Sequence, residues 1–322
     1  MSFLVFIVIG LIQGITEFLP VSSSGHLVLF YQIFNITENT IFLSVFLHLA
    51  TLLSIIIVYK YEIWELIKNP FCKTNKLLVV STIPTIIIVL LLKSLIDKSF
   101  GGEYLIYGFL VTAVILGISE YLSTKREFVS QNIKSFTEIR NKQNKHNKDN
   151  SQNNNPKTRE NLTEFAQETN KENTSKEEKT ISITNNKIHN GDIKNISLSY
   201  KQAFAIGVAQ GCAAFPAISR SGSTIATGLL VGGKKDEVTT YSFLMSIPII
   251  VASMLYETIS LERSAFVNLS AINLIASFII AFVSGVFAIK FMIKIVKKQS
   301  LSSFSFYLIA LSFVMILFKF II

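Results

Sequence analysis

A carboxylate, three consecutive hydroxyls and an imidazole lie close together in Glu17-Phe18-Leu19-Pro20-Val21-Ser22-Ser23-Ser24-Gly25-His26, inside a stretch otherwise apolar enough to sit in lipid. An acid, a serine able to act as nucleophile and a base are the parts that nucleophilic catalysis needs. The stretch also recurs. Aligned without gaps, Gly10/Gly207, Gln13/Gln210, Gly14/Gly211, Phe18/Phe215, Ser22/Ser219, Ser24/Ser221 and Gly25/Gly222 are identical pairs. The copies differ where chemistry would be done: Glu17 faces Ala214, Ser23 faces Arg220 and His26 faces Ser223. One copy carries acid, nucleophile and base; the other carries a fixed cation.

Charges within an apolar protein are costly to bury, which makes Glu17 and Arg220 candidates for function. A structural ion pair holding the two copies together is the bland alternative, and the neutral polar residues crowded around both argue against it. Arg220 opens a helix in Ser219-Arg220-Ser221-Gly222-Ser223-Thr224. Backbone amides, helix dipole, hydroxyls and a guanidinium there converge on an anion, and phosphate matches the arginine fork best. Ser22, Ser24, Ser219, Arg220, Ser221 and Thr224 are therefore the expected phosphate-binding residues. In the first copy, Ser23, a neighbouring serine or a water attacks phosphorus, and His26 serves as base or leaving-group acid. Glu17 either orients His26, acts as the base itself, or holds a divalent cation. His48, a single polar residue in Phe46-Leu47-His48-Leu49-Ala50, reads as pore-lining or as a satisfied core residue.

These residues need elements to position them, and the composition says which. Half of the 322 residues are hydrophobic, with 26 Phe and one Trp. Fifteen of the 30 Lys and Arg and ten of the 21 Asp and Glu fall between Lys125 and Lys201, leaving long uncharged apolar runs elsewhere. That is the make-up of an all-α integral membrane protein. The net charge of +9 reflects basic loops beside membrane spans, not a nucleic-acid partner. Cys72 and Cys212 have neither disulfide nor metal-ligand spacing. The first apolar run has no basic residue before it and is broken by Glu17 and Pro20, which argues against a cleaved signal.

Neither arm of the first copy is long enough to cross a hydrocarbon core, which takes about 20 residues. Residues 2–36 are expected to form a re-entrant helical hairpin, its irregular turn buried in protein or lining a polar cavity. Spans follow at about 41–59, 77–96 and 104–122. A second hairpin at about 202–231 and spans at about 238–257, 269–292 and 302–321 complete the chain. Each half, 1–124 and 199–322, is thus one hairpin plus three spans, and three spans between the copies make the repeat inverted in topology. Lys60, Lys68, Lys73, Lys76, Lys234, Lys235, Lys294, Lys297 and Lys298 share one face, which the positive-inside rule makes cytoplasmic. Residues 125–198, polar and of low complexity, are expected to be a disordered cytoplasmic loop.

The stretches Gln-Gly-Ile-Thr-Glu-Phe-Leu-Pro-Val-Ser-Ser-Ser-Gly-His and Phe-Pro-Ala-Ile-Ser-Arg-Ser-Gly-Ser-Thr closely resemble the two signature motifs of the undecaprenyl-diphosphatase family of the bacitracin-resistance type. The resemblance covers nearly the whole chain apart from 125–198. It implies hydrolysis of a long polyprenyl diphosphate to the monophosphate carrier lipid, in the cell membrane, with a pocket open to the outer face and a divalent cation, Mg²⁺ or Ca²⁺. By position, Glu17, Ser23 and His26 match catalytic residues, and Ser219, Arg220 and Thr224 match phosphate-binding residues. Three departures stand out. Gln13 occupies a position where many members carry a second glutamate, which puts a two-carboxylate metal site in question. Ala217 replaces a glycine and tightens its turn, and His48 stands where Gln is common. The expected partners are the bilayer and the lipid diphosphate, with a second copy of the chain left open. The rival reading, a polyprenyl-phosphate flippase or anion transporter, would use the same midplane site without chemistry; it has no need of a Ser-Gly-His beside the acid.

Overall fold

Pro20 sets the first boundary of the fold. The computed structural model describes residues 2–36, 40–99, 102–152, 193–259, 270–298 and 300–321; these are helical, with no strand among them. Helix α1 (Phe3–Phe18) stops two residues before the proline, which cannot continue it. The chain then turns sharply, the Val21 amide bonding the Leu19 carbonyl at 2.7 Å. Ser22, at φ 69°, caps α2 (Ser23–Ile33) by accepting from the Gly25 amide at 3.3 Å. There follow α3 (Thr40–Val58), α4 (Lys60–Lys68), α5 (Lys73–Ser99), α6 (Leu105–Gln152), a 3-10 turn (Ile193–Asn195), α7 (Tyr200–Cys212), α8 (Arg220–Leu230), α9 (Lys235–Ile259), α10 (Ala271–Lys298) and α11 (Ser302–Ile321). A capping box between Ser199 and Gln202 starts α7, and Ser219 caps α8 by accepting from the Gly222 amide at 3.0 Å.

Among the described residues, four helices are long and apolar enough to cross a membrane: Lys73–Ser99, Leu105–Asn141, Lys235–Tyr256 and Ala271–Val296. A fifth candidate is the pair Phe42–Val58 and Lys60–Lys68, which bends by 78° at its break. The bend follows the sequence, because the apolar run of α3 ends at Val58 and the next turn carries Lys60 and Glu62. Ser302–Leu317, within the last expected span, is a shorter apolar helix. Ile87, Leu90 and Leu91 of α5 and Ile272, Ile275 and Ile279 of α10 project outward, as side chains facing lipid do. The chain is a multi-pass membrane protein in this sense.

Small residues let the helices approach. Gly10 of α1 lies against α10, where a Cβ would come within 2.4 Å of the Ser277 carbonyl oxygen. Gly207 of α7 lies in the same way against α5, where a Cβ would come within 2.1 Å of the Ser81 carbonyl oxygen. Such contacts suit bilayer helices, where close van der Waals approach drives association. Ser54 of α3 donates to the Phe282 carbonyl at 2.9 Å, and Thr85 of α5 donates to the Gly207 carbonyl at 2.8 Å. Phe18, at the end of α1, is fully buried and meets Phe243 of α9 edge-on at 5.9 Å. The polar turn that follows it is thereby carried into the interior.

The chain divides into two units, Met1–Ser123 with Ile193–Ile322, and Thr124–Asp192. The polar stretch expected between 125 and 198 differs from a uniform loop at both ends. Helix α6 runs on to Gln152, and Ile193, Ile196 and Leu198 are buried in the main core. Thr74 and Lys73 donate to the Ile193 and Ile196 carbonyls at 2.6 and 2.8 Å. The apolar side chains hidden among asparagines and lysines mark where this segment rejoins the membrane unit. The expectation of disorder for residues 153–192 lies outside the described residues.

Candidate functional site

The two turns that interrupt α1–α2 and α7–α8 meet. Ser221 donates to the Leu19 carbonyl at 3.0 Å, just before Pro20. Gly25 sits against Ala217, where a Cβ would come within 2.7 Å of the Ala217 Cα, and Gly108 of α6 is in similarly close contact with Ala217. Ala217 is fully buried with φ 63°, a left-handed conformation natural to glycine and costly for alanine. The Ser219 amide donates to Thr112 Oγ1 at 3.0 Å, which ties the second turn to α6 as well. Hydrogen bonds and side-chain packing together fix the start of α8 opposite the end of α1.

Glu17 lies at that junction, its side chain 3% exposed. The Arg220 guanidinium donates to Glu17 Oε1. Its other oxygen, Oε2, accepts from Ser23 Oγ at 2.6 Å and from Gln13 Nε2 at 3.0 Å. His48 Nε2 stands 3.7 Å from the same oxygen. Its Nδ1 donates to the Ser44 carbonyl at 2.7 Å, which fixes the ring with Nε2 toward the carboxylate. One acidic side chain therefore gathers a cation, a hydroxyl, an amide and an imidazole from four helices.

The expected residues divide by what they touch. Glu17, Ser23 and Arg220 form one connected cluster. His26 does not bond Glu17 or Ser23: its Nδ1 donates to the Ser22 carbonyl at 2.7 Å, and its Nε2 lies 2.7 Å from the Tyr307 hydroxyl. Ser22 and Ser24 are paired at 3.3 Å, as are their counterparts Ser219 and Ser221. Thr224 is buried, donating to the Arg220 carbonyl at 2.9 Å and pairing with Ser242 at 2.5 Å. The hydroxyls of Ser22, Ser219, Ser221 and Thr224 thus brace the two helix starts, and Ser23 is the one held against the carboxylate.

Chemically, a serine hydroxyl hydrogen-bonded to a carboxylate is a nucleophile with its base in place. A guanidinium at the N-terminus of α8 is suited to an anion, the positive end of the helix adding to its charge. The sequence reads His48 as pore-lining or a satisfied core residue; the structure puts it beside Glu17, a neighbour the sequence did not name. A lone histidine in an apolar span has no local signature, and its meeting with Glu17 depends on how α3 packs on α1. Tyr307, on α11, escaped notice for the same reason.

A hard divalent cation needs oxygen ligands. Among the described residues, no three His, Cys, Asp or Glu side chains come together as a metal cage. Beside Glu17, however, Gln13 Oε1 is buried without a hydrogen-bond partner. One carboxylate oxygen and one amide oxygen, completed by oxygens of a bound diphosphate, make a donor set that fits Mg²⁺ or Ca²⁺.

A family model described as "Bacitracin resistance protein BacA" matches residues 6–149 and 175–314. The chain is 33% identical over 306 residues to the undecaprenyl-diphosphatase of Carboxydothermus hydrogenoformans, covering 94% of this chain and 91% of that protein. It is 32% identical to undecaprenyl-diphosphatase 4 of Bacillus cereus, covering 99% and 98%. To the undecaprenyl-diphosphatase of Bacteroides thetaiotaomicron it is 31% identical, covering 95% of each. With a buried Glu–Arg–Ser cluster at the meeting of two motif-bearing turns, and with matches of this extent, the chain belongs to the bacitracin resistance protein BacA family.

Proposed function

We propose that this protein is an undecaprenyl-diphosphate phosphatase, which hydrolyses the lipid diphosphate to the monophosphate carrier lipid and inorganic phosphate. The observation that carries the reading is the Ser23 hydroxyl, held 2.6 Å from Glu17 Oε2 while the other oxygen of that carboxylate holds Arg220. Arg220 grips the terminal phosphate. Ser23 Oγ attacks its phosphorus as its proton passes to Glu17, and the bond from that phosphorus to the bridging oxygen breaks, releasing the lipid monophosphate. Water then cleaves the phosphoserine, yielding phosphate and restoring the hydroxyl. Catalysis of this kind is mainly positioning and charge stabilisation. Ser22, Ser24, Ser219, Ser221 and Thr224 shape the phosphate pocket by holding the two helix starts, and His26 handles a proton on the leaving or attacking oxygen. Glu17 and Gln13 would hold a divalent cation that, when bound, neutralises charge on the diphosphate oxygens.

The architecture we propose for this task is an inverted-topology repeat, with α1–α2 and α7–α8 as re-entrant hairpins meeting near the midplane. Its support is the crossed packing: the first arm of each hairpin lies against the corresponding helix of the other half, Gly10 on Ser277 and Gly207 on Ser81. The basic loops argue for a cytoplasmic face opposite the site, which would open outward, where a prenyl tail confined to the bilayer can present its diphosphate. Residues 1–124 and 199–322 are the two membrane repeats in this reading, and a second copy of the chain is a candidate partner.

The test is phosphate release from undecaprenyl diphosphate by the purified protein in detergent, beside Ser23→Ala and Arg220→Ala. Turnover by the wild type that falls at least 100-fold in both variants supports the hydrolase. A folded wild type that binds lipid phosphate through Arg220 and releases nothing would refute it.

A further inference from the structure

His26 is oriented by two groups, and only one of them belongs to the turn in which it sits. The Ser22 carbonyl, 2.7 Å from Nδ1, can only accept, so Nδ1 carries a hydrogen. The neutral ring therefore presents its lone pair at Nε2, and the group facing it at 2.7 Å is the Tyr307 hydroxyl, which donates. The two rings also lie nearly parallel, 8° apart with centroids at 5.8 Å, while Phe109 closes the other side edge-on at 5.2 Å. Helix α11 is anchored to α6 at this level by Ser305, which donates to the Ala113 carbonyl at 2.6 Å. The tyrosine is thereby supplied from the far end of the chain, 281 residues from His26.

Because Glu17 already holds the Ser23 hydroxyl, the imidazole is left for a separate proton; Nε2 receives it when a substrate oxygen takes the place of the Tyr307 hydroxyl, which until then holds that nitrogen in position. We infer that Tyr307 is a positioning residue for the reaction: the Ser22 carbonyl sets the tautomer of His26, and the Tyr307 hydroxyl and ring hold the aim and plane of the imidazole. The inference rests on the hydrolase reading above. Tyr307 is not placed among the groups that touch phosphate, so its loss should act through His26 alone.

The experiment is a double-mutant cycle on phosphate release from undecaprenyl diphosphate, using wild type, Tyr307→Phe, His26→Ala and the double variant in detergent. Phenylalanine keeps the stacked ring and removes the hydroxyl, on a helix face that is 46% exposed at this residue. Removing the hydrogen bond should lower kcat about five- to tenfold and leave KM within about twofold. In the His26→Ala background the same change should have no further effect, since the group it positions is gone. A wild-type kcat in Tyr307→Phe would overturn the inference. So would an equal loss in both backgrounds, or a change confined to KM. Absence of turnover in the wild type would instead overturn the hydrolase reading, so the two failures are distinguishable.

Discussion

Glu17 and Arg220 stand 203 residues apart in the chain and form an ion pair in which the carboxylate is buried and the guanidinium half-buried. The pair joins the two copies of the motif through two of the positions at which they differ, Glu17 facing Ala214 and Arg220 facing Ser23. In the proposed mechanism the carboxylate occupies, before substrate binds, the guanidinium that the phosphate would use, so that ligand and Glu17 would compete for Arg220. Glu17→Gln should therefore bind inorganic phosphate or a non-hydrolysable lipid diphosphate more tightly than wild type. Its kcat should fall at least 100-fold, because the base for Ser23 is lost. Titration calorimetry beside the phosphate-release assay checks this; weaker binding would sink the competition argument.

Arg220→Ala removes the other partner and leaves a buried carboxylate uncompensated. Loss of one member of such a pair costs about 3 kcal/mol or more. Ser23, Gln13 and His48 remain around Glu17 and should temper that cost, so the variant is expected to fold with a lowered unfolding temperature and no turnover. Arg220→Lys keeps the charge and loses the fork, and should recover stability more fully than activity. Thermal unfolding in detergent, read against turnover, separates the two effects.

His48 approaches Glu17 without being part of either motif. His48→Leu takes a polar neighbour from the carboxylate while filling the same space, and we expect kcat to fall about tenfold with the fold intact. Unchanged kcat would mean that the 3.7 Å approach is without consequence for the reaction.

The orphaned Gln13 oxygen yields a prediction about metal. Chelation with EDTA should abolish turnover, and Mg²⁺ or Ca²⁺ should restore it. Gln13→Glu places a second carboxylate on the same helix face as Glu17, four residues away, and should lower the cation concentration needed for half-maximal activity. Full turnover in EDTA would remove the cation from the mechanism.

Ala217 lies wedged between Gly25 and Gly108 in a conformation that favours glycine. Gly25→Ala would drive a methyl group into backbone, and we expect at least about 2 kcal/mol of destabilisation with loss of activity, since the turn carrying Ser23 must shift. Ala217→Gly should be tolerated, the relief of the left-handed alanine offsetting the added freedom of the unfolded chain. Unfolding temperatures of the two variants decide this.

Glu17, Ser23 and Arg220 were readable as a site because each is polar where lipid would have it otherwise, and because the motif repeats. Four spans were readable from apolar length alone; among the described residues 41–59 reaches span length only with the bent helix α4, and 302–321 gives a shorter apolar helix. What escaped was whatever depends on a distant partner. His48 and Tyr307 are single residues in apolar helices, and nothing local distinguishes them from buried spectators. The partner of His26 could not be chosen between Glu17 and others, because three residues of spacing leave the direction of the ring open. The bend after Val58 and the return of the chain at Ile193 into the core were likewise set by tertiary packing, with only short apolar cues.

The crossed seating of α1 on α10 and of α7 on α5 has a consequence for biosynthesis. When the ribosome delivers α7, its seat on α5 already exists. Helix α1 is made well before α10 and finds its seat there only after the helices between them have been made. Until then the segment that bears Glu17 has neither its packing partner nor Arg220, and must be sheltered by lipid, by the translocation machinery or by provisional contacts. Two halves that look equivalent once assembled are thus unequal in time, and the reactive half is the one that waits.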